Sequence, residues 1–124
     1  MKLYRIVLPV QKIDKATDFY SKLLAQEGKK VSDGRHYFDC GGVILVCYDS
    51  QADGDKDIYF RPNPDHIYLA TDKLEEVYQI AKTLACLRID ESIETQPWGE
   101  RCFYFVDPFG NQICMTDEKT IFKG

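Results

Sequence analysis

Residues 2–10 are a β-rich, largely apolar run whose period-two faces carry Tyr4, Ile6 and Leu8 on one side and Leu3, Arg5, Val7 and Pro9 on the other. This predicts a strand that stops at Pro9, where a missing N–H donor costs little. From Lys12 the period lengthens: Ile13, Ala16, Phe19, Tyr20, Leu23 and Leu24 recur at helical steps and form one apolar face, so a helix is expected to run to the neighbourhood of Gly28. Residues 30–33, 35–39 and 43–49 then read as three short strands punctuated by Gly34 and by Gly41-Gly42. The first half is βαβββ.

The pattern then begins again. Residues 51–57 are a polar, glycine-bearing linker, followed by the apolar Ile58-Tyr59-Phe60, and after Pro62 and Pro64 a strand is expected over 66–70. Asp72 and Glu75 have the spacing of a capping box, and Leu74, Val77, Tyr78, Ala81 and Leu84 continue as a helix face. Residues 87–94 read as a strand, and 97–117 as two strands clasping the turn Asp107-Pro108-Phe109-Gly110-Asn111, where proline fixes φ and Gly and Asn tolerate positive φ. Arg5-Ile6-Val7-Leu8 lies over His66-Ile67-Tyr68-Leu69, and Gly42 to Asp49 lies over Gly110 to Asp117. The chain is therefore expected to be one domain, 1–124, built of modules 1–50 and 63–119 joined by a linker at 51–62. A repeat of this kind implies a pseudo-two-fold and a ligand pocket at the seam.

Composition narrows the function classes. Apolar residues make up 44% and charged residues 29%, as in a soluble globular chain, and no apolar run approaches the roughly 20 residues of a membrane span. The start MKLYRIVLPVQKID has neither a long apolar core nor a small-residue cleavage site, which points to the cytoplasm. A net charge of −4 and a pI near 5.1 argue against nucleic acid, which needs clustered Lys and Arg, and against an RNA-binding role for the aromatic run 103–105. Five cysteines, odd in number and without a C-x-x-C pair, suggest neither a disulfide framework nor a zinc knuckle.

The repeated βαβββ units, Phe19-Tyr20 followed by Leu23-Leu24, Pro97-Trp98-Gly99 and the run Phe103 to Asn111 resemble the vicinal oxygen chelate superfamily, which includes glyoxalase I, bleomycin resistance proteins and extradiol dioxygenases. The resemblance implies an α+β fold in which two βαβββ modules form an incurved mixed β-sheet around a cleft, as a homodimer. In its metal-dependent members, His, Gln or Glu on the first and last strands of each module ligate a metal. At the matching positions this chain carries Arg5, Val46, His66 and Cys114. Arg5 has no lone pair and Val46 no donor, so two competent residues remain where catalytic zinc typically has three protein ligands. No metal or cofactor is expected.

Each candidate also has a structural reading. His66 is a ligand contact or a lone polar group at a rim; Cys114 is a small buried residue more readily than a nucleophile. Arg5 is a fixed cation for an anionic ligand or the partner of an internal carboxylate. Trp98 is a contact surface or packing. With Arg101 and Gln112 these make the expected ligand-binding set: Arg5, Val46, His66, Trp98, Arg101, Gln112 and Cys114. No residue is assigned to catalysis. The leading expectation is a metal-independent protein that binds or sequesters a small molecule, neutral or anionic because Arg5 and Arg101 disfavour a cation. Two alternatives stand beside it. One is a glyoxalase-like lyase or isomerase using His66 as acid–base, or a rearranged metal site drawing on His36, Glu100 or Gln112. The other is a structural or regulatory interaction protein.

Overall fold

A computed structural model describes all 124 residues, which form two compact units, Met1–Asn63 and Pro64–Gly124. In the first unit, β1 (Arg5–Pro9), α1 (Ile13–Leu24), β2 (Lys29–Ser32), β3 (Arg35–Cys40) and β4 (Val43–Tyr48) follow in chain order. The sheet order is β1-β4-β3-β2, with β1 parallel to β4 and the other pairs antiparallel. A parallel pair needs a long crossover, and α1 opens it. Its Ala16, Phe19, Tyr20 and Leu23 are buried, as are Leu8, Phe38, Leu45 and Cys47 of the sheet.

The stretch read as a linker is sewn to this unit. Asp53 accepts hydrogen bonds from the Gly34 N–H at 2.6 Å and the Ser32 hydroxyl at 3.0 Å, with Arg35 at 3.8 Å. The Ser32 bond, followed by those of Gly34 and Arg35, holds its carboxyl below the usual range. Ser50 Oγ donates to Ile58 O, and Asn63 Nδ2 to Val7 O, each at 2.9 Å. Gly34 is required here because an added Cβ would lie 2.2 Å from Asp49 O.

The second unit contains β5 (Ile67–Thr71), α2 (Leu74–Thr83), β6 (Arg88–Ile89), β7 (Glu94–Thr95), β8 (Arg101–Val106) and β9 (Gln112–Asp117), followed by a 3-10 turn at Glu118–Thr120. Its sheet runs β5-β9-β8-β6, with β7 also pairing with β8, and again the first strand lies parallel to the last. Leu74, Tyr78 and Ala81 of α2 are buried with Phe103, Phe105, Ile113 and Met115 of the sheet. The Tyr78 and Phe103 rings stand 4.8 Å apart, and the Tyr78 hydroxyl donates to Asp90 O at 2.6 Å.

Three expectations need correction. The two βαβββ modules are present, but they do not form an incurved mixed sheet around a cleft. Every ladder is made within a module, giving a four-stranded and a five-stranded sheet, and β1 and β5 each end a sheet path instead of pairing onward. The parallel pairing spends one edge of β1 on β4 and one edge of β5 on β9, and no further strand takes the other edge. The strand expected over 87–94 is two short pieces, because Asp90 interrupts it: its carboxylate accepts the Tyr104 N–H at 2.8 Å. The capping box does not form. Lys73 is the N-cap and has no side-chain cap, its N–H donates to Thr71 Oγ1, and Glu75 is drawn instead to Arg101 at 2.6 Å.

The turn between β8 and β9 is held by a buried carboxylate. Asp107 accepts from the N–H groups of Phe109 and Asn111 and from Asn111 Nδ2, at 2.8–3.0 Å. Asp107→Ala removes these acceptors and leaves buried donors unmatched, so it is expected to lower unfolding free energy by about 2–4 kcal/mol. Urea denaturation checks this through a lower midpoint at unchanged slope.

Candidate functional site

The candidate site lies in the second unit, on the sheet face turned away from α2. Alternation along β8 puts Phe103 and Phe105 toward the helix and Cys102, Tyr104 and Val106 on the other face; register adds Gln112, Cys114 and Thr116 of β9. His66 stands just before β5, exposed, with its ring edge-on to Tyr104 at 5.1 Å and tilted against Tyr68 at 6.2 Å. Gln112 Nε2 donates to Pro64 O at 3.1 Å, which ties the approach to β5 and thereby positions His66.

His66, Arg88, Asp90, Tyr104 and Gln112 share a recess of about 110 Å³, which Val106 also lines. Arg88 makes no ion pair within 4.0 Å, and Asp90 beside it in the lining accepts the Tyr104 N–H through Oδ2. The recess therefore offers an uncommitted guanidinium, an imidazole and a phenol. Burial, with Cys114 and Cys102 nearby, raises the Tyr104 hydroxyl far above its ordinary value, so it stays protonated. Cys114, paired in register with Tyr104, is buried; burial pushes its thiol up to about 12, and the Thr116 hydroxyl at 3.6 Å offsets only part of that. It is a neutral group and not a nucleophile at physiological pH.

The other sequence-derived candidates lie elsewhere. Arg101 faces α2, with Nη1 at 2.6 Å from Glu75 and 3.5 Å from Asp117, and so clamps helix to sheet. Trp98 is exposed, donating through Nε1 to Glu100 Oε1 at 3.0 Å. In the first unit, Arg5 donates to the Tyr37 hydroxyl at 2.7 Å and lies 5.4 Å from the Tyr4 ring centroid; Val46 is buried; and His36 Nε2 lies 2.8 Å from Glu27 O, its ring against Phe38. Arg88 and Asp90 are absent from the sequence-derived set. The alternation Leu87-Arg88-Ile89-Asp90, which sets both charges on one face, is the signal that points to them.

These residues do not fit the metal that the resemblance implies. In neither unit do three His, Cys, Asp or Glu side chains converge. His66 is joined by a phenol, an amide and a protonated thiol, and Arg5 and Val46 supply no donor.

Cys114 titrates at about 12 in the fold against an ordinary 9.0, so between these values the folded chain binds more protons than the unfolded one. The stability this contributes is complete below about pH 9 and is lost as pH rises through 12. The melting temperature is expected to fall above pH 9, and less steeply in Cys114→Ala. In the folded protein at pH 8, iodoacetamide should leave Cys114 unmodified by mass spectrometry.

Comparison with known proteins bears on the fold. The sequence profile described as Glyoxalase/Bleomycin resistance protein/Dioxygenase superfamily matches residues 2–115. A glyoxalase-related enzyme from Fulvimarina pelagi superposes with a TM-score of 0.79 at 14% identity, covering 100% of this chain and 93% of that one. A superfamily member from Sphaerobacter thermophilus DSM 20745 gives 0.70 at 23% identity, covering 95% and 98%. Lactoylglutathione lyase from Agrobacterium tumefaciens gives 0.67 at 22%, covering 95% and 94%. Among curated proteins none matches significantly. With the profile spanning nearly its whole length, and both βαβββ modules in place, the chain belongs to the Glyoxalase/Bleomycin resistance protein/Dioxygenase superfamily.

Proposed function

We propose that this protein binds a neutral or anionic small molecule without a metal, as a binding protein of the bleomycin-resistance type. The observation that carries the reading is the recess of His66, Arg88, Asp90, Tyr104 and Gln112, where a guanidinium that makes no ion pair within 4.0 Å stands beside a phenol that stays protonated. Guanidinium is the side chain suited to a carboxylate, which it can grip with two parallel hydrogen bonds. At about 110 Å³ the recess has room for a group the size of roughly three or four waters. It would hold the polar end of a ligand whose remainder lies outside. Five free cysteines suit a reducing compartment and support a cytoplasmic setting. The unpaired outer edges of β1 and β5 favour a second copy of the chain as a partner.

A second reading, a lyase or isomerase using His66 as acid–base, is favoured by the exposed imidazole set edge-on to Tyr104. One set of experiments separates the two. Aromatic carboxylates are expected to shift the amide signals of His66 and Gln112 where cationic glycopeptides leave them unmoved, and Arg88→Gln should weaken carboxylate binding about tenfold by calorimetry. Protein incubated with nickel, manganese, zinc or iron should retain no stoichiometric metal. Bound metal that disappears in His66→Ala would overturn the binding-protein reading, as would movement of those amide signals by the glycopeptides alone.

A further inference from the structure

A second hollow lies at the other end of the same strand face and shares no residue with the recess. It is lined by Tyr68, Leu69 and Ala70 of β5, Thr116 of β9, Glu100 just before β8, and Ile121 and Phe122 of the C-terminal tail, and measures about 430 Å³. That is within the roughly 300–1,000 Å³ of small-molecule sites. From this hollow we infer a separate binding site for an organic cation that carries an apolar or aromatic group.

Charge and surface carry the assignment. Glu100 is the only charged residue in the lining. Its carboxylate takes a neutral donor, Trp98 Nε1 at 3.0 Å, and no Lys, Arg or His lies within 4.0 Å of it. The neighbouring Arg101 cannot neutralise it, being held on the opposite face by Glu75 and Asp117. Around this carboxylate stand aromatic groups left largely in solvent: Tyr68 is 59% exposed and Phe122 85%, with Trp98 at 62% bracing Glu100. A carboxylate beside exposed aromatic faces attracts cations by both Coulomb and cation–π terms and disfavours anions. The tail is built in place. The Arg101 N–H donates to Thr120 Oγ1 at 3.0 Å, and the Thr120 hydroxyl donates to Asp117 O at 2.8 Å, so Ile121 and Phe122 leave an anchored turn. The recess at Arg88 and the hollow at Glu100 thus select opposite charges on one sheet face.

Benzyltrimethylammonium is the probe, with benzyl alcohol and benzoate as neutral and anionic counterparts, titrated into the full chain and followed by calorimetry and amide NMR. The cation is expected to shift Tyr68, Glu100, Thr116 and Phe122 saturably and, followed at those four residues, to bind about tenfold more tightly than either counterpart, benzoate moving His66 and Gln112 instead. Glu100→Gln and Phe122→Ala, both at solvent-accessible positions, should each weaken it about tenfold with a native spectrum retained, whereas Arg88→Gln should not. Equal binding of benzyl alcohol, unchanged affinity in Glu100→Gln, or shifts confined to His66 and Gln112 would overturn the inference. So would sedimentation showing that a second copy already covers the hollow, with Phe122→Ala releasing the monomer. Carboxylate binding at Arg88 is measured separately, so loss of binding at one site leaves the result at the other intact.

Discussion

Parallel pairing of the first strand of each module with its last is the constraint from which the remaining architecture follows. A parallel pair cannot be closed by a hairpin, so each module must carry a long crossover, and its helix covers one face of the sheet. The antiparallel strands then fill in behind the last strand, since that is the edge still available inside the module. In the second unit this pairing also sets the chemistry. Ile67 registers with Ile113 and Tyr68 with Cys114, which brings His66 alongside Gln112. The repeat visible in the sequence is therefore a repeat of this pairing, and the recess is a by-product of its register.

Electrostatically, the second unit is organised by which charges are already committed. Arg101 has two carboxylates and acts as a clamp; Asp90 and Asp107 spend theirs on backbone N–H groups and shape the chain. Arg88 and Glu100 have no partner of opposite charge, and each lines a concavity. A charged group that takes no part in holding the fold together remains available to a ligand, and surface ion pairs contribute little enough that leaving these two unpaired costs the fold almost nothing. The neutral Tyr104 and Cys114 share their sheet face, held protonated by burial.

Much of this is legible from residue pattern, and the parts that are not share a physical cause. Alternation and helical period are local, so the two helices and the main strands can be read directly, as can the turn at Asp107. The capping box at Asp72 and Glu75 fails because a residue distant in sequence, Arg101, competes for Glu75. The same contact removes Arg101 from the ligand set: its position in an aromatic strand is visible, but whether residue 101 or 102 faces the helix depends on register. The broken strand near Asp90 turns on a side chain replacing a backbone acceptor, which spacing does not reveal. Sheet closure is the least legible feature of all. Whether the outer edges of β1 and β5 find partners is decided by tertiary arrangement and leaves no trace in either strand.

The position of Cys114 shows what a buried strand does to an ionisable side chain. A carboxylate there would sit on a buried strand beside Thr116 and Tyr104, and burial that lifts a thiol to about 12 would also lift a carboxyl unless a cation were present to hold it ionised. In a metalloenzyme the ion is that cation, and ligand and metal stabilise one another. Remove the other ligands and the carboxylate becomes a buried, unpaired charge, which a small apolar residue relieves. At residue 114 the buried thiol, protonated and beside the Thr116 hydroxyl, leaves no such charge in the strand. His66, by contrast, is exposed, and its ring stands edge-on to Tyr104 in the lining of the recess.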